Sequence, residues 1–88
     1  MAPRTRTVAW THSARIALDE VLDEIAATSR SGAVRIATET IDAADGLTTF
    51  AERGRVVPEL DDPAVRELFI LQYRLLYRVH HDRVVILC

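Results

Sequence analysis

The segment Tyr73-Arg74-Leu75-Leu76-Tyr77-Arg78-Val79 repeats a tyrosine–arginine pair at a spacing of four. Arginine suits phosphate or carboxylate, because its planar guanidinium donates bidentately and never loses its charge. On a strand successive side chains alternate, so Arg74, Leu76 and Arg78 share one face while Tyr73, Leu75, Tyr77 and Val79 share the other. The arginine face can hold an anionic partner. It can equally pair with nearby carboxylates, Glu67 first among them, on a solvated sheet surface. Arg55 and Arg83 are further cations that a small sheet brings near. Other chemistry is sparse. The chain has no glycine-rich phosphate loop, no Cys/His ligand spacing and no serine or cysteine nucleophile signature. His80 and His81 are adjacent, so at a strand end they point apart and chelate poorly, and His12 opens a helix with no oriented acid beside it. No metal and no cofactor is expected.

These side chains need a sheet to hold them. Val65–Ile70, Tyr73–Val79 and Arg83–Cys88 are β-branched and aromatic runs separated by hairpin-length gaps, Leu71-Gln72 and His80-His81-Asp82. Pairing the first two across a two-residue loop puts Leu68 and Ile70 on the tyrosine side, and Glu67 and Phe69 on the arginine side. A first strand is expected over 6–10. Residues 11–29 follow, with Ala14, Ala17, Leu18, Val21, Leu22 and Ile25 at helical spacing and Thr11 or Ser13 as cap. "SRSG" (29–32) breaks that helix, and a second runs to about residue 51, weakened by Gly46. Residues 52–55 read as a turn and 59–65 as the one linker-like piece. The expected fold is α+β: an N-terminal strand and a helical hairpin packed on a small, largely antiparallel sheet, in the order β-α-α-β-β-β. The expected core is Trp10, Leu18, Val21, Ile25, Ile36, Ile41, Leu68, Leu75, Tyr77 and Ile86.

Composition bounds the rest. Eighty-eight residues imply one domain, 1–88, with a modest core. All eleven cations are arginine; seven of the thirteen acids precede residue 50, and the net charge is −2. An acidic front and a basic back give two chemically different faces, with no bulk cationic excess for nucleic acid. The N-terminus lacks the apolar stretch of a signal peptide, no run approaches a membrane span, and the lone Cys88 fits a reducing cytoplasm.

The combination Gly54-Arg55, Val57-Pro58-Glu59, Arg66-Glu67-Leu68 and Tyr73-Arg74-x-x-Tyr77-Arg78-Val79 resembles the RelE/ParE superfamily of bacterial toxin–antitoxin toxins. The preceding hairpin has the family's length and order, so the resemblance covers nearly the whole chain. It implies a toxin held inactive in a hetero-oligomer by an antitoxin that wraps around it. Two activities divide the superfamily. RelE-like members cut messenger RNA on the ribosome; ParE-like members bind and poison DNA gyrase. In the first case Arg74 matches an arginine of the catalytic cluster. The lysines that often precede that strand have no counterpart here, and the sequence ends at Cys88, before the positions where further partners usually stand. The Gly54–Glu59 and Val65–Leu68 segments look more ParE-like, which favours gyrase over messenger RNA. A shortened toxin that keeps only antitoxin binding is the remaining reading. In any of the three, the partner surface is expected on the arginine face: Arg74, Arg78, Phe69 and Leu76, with Arg55 and Arg83.

Overall fold

The hairpin begins where side-chain caps allow it. Strand β1 (Thr7–Trp10) leads into α1 (His12–Ala26), and Thr11 caps that helix by accepting a hydrogen bond from the Ala14 N–H at 3.0 Å. The second helix, α2 (Arg30–Gly46), is capped by Ser29, whose Oγ accepts from the Gly32 N–H at 3.0 Å. "SRSG" therefore starts a helix instead of forming a loop, and the break is confined to residues 27–29. The computed structural model describes residues 5–88; the first four residues of the expected domain, Arg4 included, lie outside the described residues.

Helix α2 stops at Gly46, short of the expected residue 51. Glycine is a poor helix former. Leu47 turns fully into the core, and the Arg6 N–H donates to the Thr48 carbonyl at 2.8 Å, tying the exit to the start of β1. A short 3-10 turn (Ala51–Arg53) then leads to β2 (Arg55–Val56), a two-residue strand where the sequence suggested only a turn. Strands β3 (Val65–Ile70), β4 (Tyr73–Val79) and β5 (Arg83–Ile86) complete the chain.

The five strands form one mixed sheet in the order β1-β5-β4-β3-β2. Three pairings are antiparallel, and β1 runs parallel to β5, with Val8 beside Val84 and Trp10 beside Ile86. Leu68 pairs with Leu75 and Phe69 with Arg74, so the face assignments made from alternation hold. The two-residue loop forces Leu71 to φ 55°, a left-handed conformation that costs a leucine about 1–2 kcal/mol. Midway along β4, Leu87 and Cys88 both bond to Leu76: the Leu87 N–H donates to the Leu76 carbonyl at 2.8 Å, and the Leu76 N–H donates to the Cys88 carbonyl at 3.0 Å. Two residues opposite one make a β-bulge.

The helices cover one face of the sheet. Tyr77, Leu47, Val84 and Ile86 are fully buried there, with Ala14, Ala44, Leu75 and Ile70 around them. Ile36, Leu75, Tyr77 and Ile86 are core residues as expected. Ile41 is not: it is 45% exposed, because the buried stripe of α2 is Ala33, Ile36, Thr40 and Ala44, and Ile41 sits about 100° round the helix from Thr40. Trp10, Leu18, Val21, Ile25 and Leu68 are only half-buried. Burial is deepest where Ala14 and Ala44 meet the sheet, and the molecule is elongated, 44 × 29 × 22 Å.

Candidate partner-binding face

The face of the sheet turned away from the helices carries the arginines, and the backbone decides how they are held. Alternation along β3 and β4 sends Glu67, Phe69, Arg74, Leu76 and Arg78 to this side. Residues 57–64, between β2 and β3, then fold back as a strap. Val57 and Val65, at its two ends, are each only 3% exposed. The strap closes on itself through Leu60 N–H to the Val57 carbonyl at 3.2 Å and Val65 N–H to the Asp62 carbonyl at 3.1 Å.

Glu67 is the hub. Its side chain has no exposed surface, and each oxygen takes one guanidinium: Arg55 Nε donates to Oε1 at 2.6 Å and Arg74 Nη1 to Oε2 at 3.0 Å. A buried carboxylate needs such compensation. Both arginines remain substantially open to solvent. Arg55 also lies over the Phe69 ring, 5.8 Å from its centroid, within cation–π range. Phe69 itself is well exposed.

The strap supplies the other counter-charges. Glu59 stands 3.8 Å from Arg74, and Asp62 Oδ2 accepts from Arg78 Nη1 at 2.6 Å. Asp62 Oδ1 accepts from the Ala64 N–H at 3.0 Å, an Asx turn. That backbone bond, and next the Arg78 bond, hold the Asp62 carboxyl below the usual aspartate range. Arg66, by contrast, lies on the helix side and donates to the backbone carbonyls of Gly54 at 2.8 Å and Glu52 at 3.1 Å.

Of the six residues singled out from sequence, the structure gathers Arg55, Phe69 and Arg74 around Glu67, and places Arg78 on the strap. Leu76 faces the same side between the two arginines, half-covered by its own surroundings. Arg83 is exposed but stands at the opposite end of β4 from Arg74, where its carbonyl accepts from the His80 N–H at 2.8 Å. His80 and His81 lie at that same remote end. The sequence reading named Glu67 as a partner for the arginines, which the structure bears out, but gave Glu59 and Asp62 no part of their own. Their signal was available: four acids, Glu59, Asp61, Asp62 and Glu67, lie within nine residues, directly ahead of a strand with two arginines on one face.

A cavity on the helix side went unforeseen because its residues looked like closed core. A cavity of about 170 Å³ opens between the hairpin and the end of the sheet, lined by Trp10, Ala14, Leu18, Val21, Tyr73 and Leu75 among others. Among the described residues no cluster of three or more His, Cys, Asp or Glu could hold a metal ion, and no helix is long and apolar enough to cross a membrane.

The comparisons agree with this architecture. The solved structure of the chromosomal ParDE TA system from P. aeruginosa superimposes with a TM-score of 0.74 at 21% identity, over 93% of this chain and 90% of that one, and so shares its fold. No curated protein matches this chain. The family model for the ParE toxin of the type II toxin–antitoxin system, parDE, matches residues 8–88. With that match spanning nearly every residue of the hairpin and sheet, the chain belongs to the ParE toxin family.

Proposed function

We propose that this ParE-family chain acts in the bacterial cytoplasm by binding and inhibiting DNA gyrase, and that a cognate antitoxin neutralises it in a toxin–antitoxin hetero-oligomer. The observation that carries the choice of target is the state of Arg74. Metal-free RNA cleavage needs a cation free to meet the scissile phosphate and an acid or base beside it. Arg74 is instead committed to the buried Glu67 at 3.0 Å, with Glu59 at 3.8 Å, and the paired histidines lie at the other end of β4. An arginine so neutralised is suited to protein recognition, where exposed guanidinium edges add to charge complementarity.

The antitoxin is assigned to the outer face, at Arg74, Arg78, Phe69 and Leu76, with Arg55 beside them and Arg83 at the margin. An exposed aromatic framed by arginines is the composition that dominates protein interfaces. The test has two arms. Purified chain is expected to inhibit gyrase supercoiling or raise cleaved complexes while leaving translated messages intact. Ribosome-dependent cleavage that Arg74→Ala abolishes overturns the gyrase assignment, and no effect in either assay leaves antitoxin binding as the sole activity. The product of the adjacent reading frame should co-purify with the chain, and reversing charge at Arg74 and Arg78 together should weaken that complex.

A further inference from the structure

We propose that the strap 57–64 is a built-in stand-in for the acidic partner of the outer face, and that a partner segment binds by displacing its carboxylates from Arg74 and Arg78. This rests on reading that face as an interface. Glu59 sits on Arg74 at 3.8 Å and Asp62 on Arg78 at 2.6 Å, so the chain's own acidic segment occupies the two cations an acidic partner would use. These contacts differ in kind from the Glu67 bonds. Glu67 is sealed and orients Arg55 and Arg74 permanently, whereas Glu59 is 64% exposed and Asp62 39%, on arginines 45% and 40% exposed. Exposed ion pairs are weak and exchange readily with competing charge.

The geometry also fixes the chemistry of the competitor. Arg74 and Arg78 are four residues apart on β4, about 13 Å at strand rise, with Leu76 between them on the same face. An extended partner matches this with two carboxylates four positions apart and an apolar residue midway. Phe69, opposite Arg74 across the strand pair, extends the apolar part of the surface. The anchors Val57 and Val65 are buried and stay in place while the acidic crest between them lifts.

A peptide of this chain's own residues 57–65, titrated into the isotope-labelled full chain and followed by amide chemical shifts, tests the proposal without requiring the antitoxin or gyrase. Binding is expected to be weak in the wild type, because the tethered strap competes at high effective concentration. Glu59→Gln with Asp62→Asn should tighten it about three- to tenfold by vacating the arginines. The asparagine can still accept from the Ala64 N–H, so the turn is kept, and retained hydrogen-exchange protection at the Ala64 amide checks this. Arg74→Glu with Arg78→Glu, or a peptide with its acids replaced by amides, should abolish the shifts. Equal affinity in wild type and Glu59→Gln/Asp62→Asn, or no binding to either, overturns the proposal. If the peptide behaves as expected while the antitoxin ignores Arg74→Glu/Arg78→Glu, the strap competition stands and the antitoxin assignment falls.

Discussion

Replacing Tyr77 by phenylalanine removes one oxygen from the centre of the molecule, and the structure says what that oxygen holds. Its hydroxyl donates to the Ala51 carbonyl at 2.7 Å and accepts from the Gly54 N–H at 3.0 Å, with the whole side chain buried. These two bonds fasten the 3-10 turn and the start of β2 to β4. Phenylalanine fills the same ring volume, so the packing loss is small. Two buried backbone groups lose their partner, at roughly 1–2 kcal/mol each, for a total of about 2–4 kcal/mol. For a domain of this size that lowers Tm by on the order of 10–30 °C. Urea denaturation should show the loss in the midpoint with the slope unchanged, and hydrogen exchange should accelerate at the Gly54 amide. The pH dependence follows from the same burial. Desolvation raises the Tyr77 pKa above 10.0, so the folded state keeps a proton that the unfolded chain releases. The stability linked to it is present in full below about pH 10 and is lost as pH rises through the higher folded value, and the phenylalanine variant should lack that alkaline component. A destabilisation under about 0.5 kcal/mol, with the Gly54 amide still protected, would refute the argument that this hydroxyl is the clamp.

Two other perturbations test the same frame. Gly54→Ala places a Cβ 2.5 Å from the Tyr77 hydroxyl and 2.6 Å from the Glu67 carbonyl, and since a backbone atom cannot swing aside, a loss of about 1–3 kcal/mol or more is expected in thermal melts. Asp62, its pKa depressed by the Ala64 N–H and then by Arg78, contributes stability above the ordinary aspartate value that disappears as pH falls through the folded one; Asp62→Asn should flatten the acid side of the stability curve.

The parts of the fold that local chemistry controls were legible. Alternation in Val65–Ile70 and Tyr73–Val79 gave both strands, the two-residue loop and the direction of every side chain on them. Thr11 was a recognisable helix cap because its hydroxyl acts within its own turn. What failed depended on distant segments. Nothing near Trp10 reveals that β1 runs parallel to β5, and helical spacing alone does not reveal that Leu18 and Ile25 stay half-open. For the candidate site, alternation found the arginines and placed Glu67 on their side. It could not show Glu67 buried, because β2, the strand that sets Arg55 opposite Glu67, read in the sequence as a turn.

The parallel pairing of β1 with β5 has a consequence for synthesis. The first strand, Thr7–Trp10, finds its neighbour only in Arg83–Ile86, and β5 is the strip that joins it to the rest of the sheet. Until those last residues leave the ribosome, a nascent chain can form the hairpin and the β2–β3–β4 meander, but β1 has no lane to occupy. Closure of the sheet is then a contact between nearly opposite ends of the chain, the kind of non-local step that sets a slow folding rate. The surface that spans all five strands is therefore finished only once Arg83–Ile86 have been made, however early the hairpin forms.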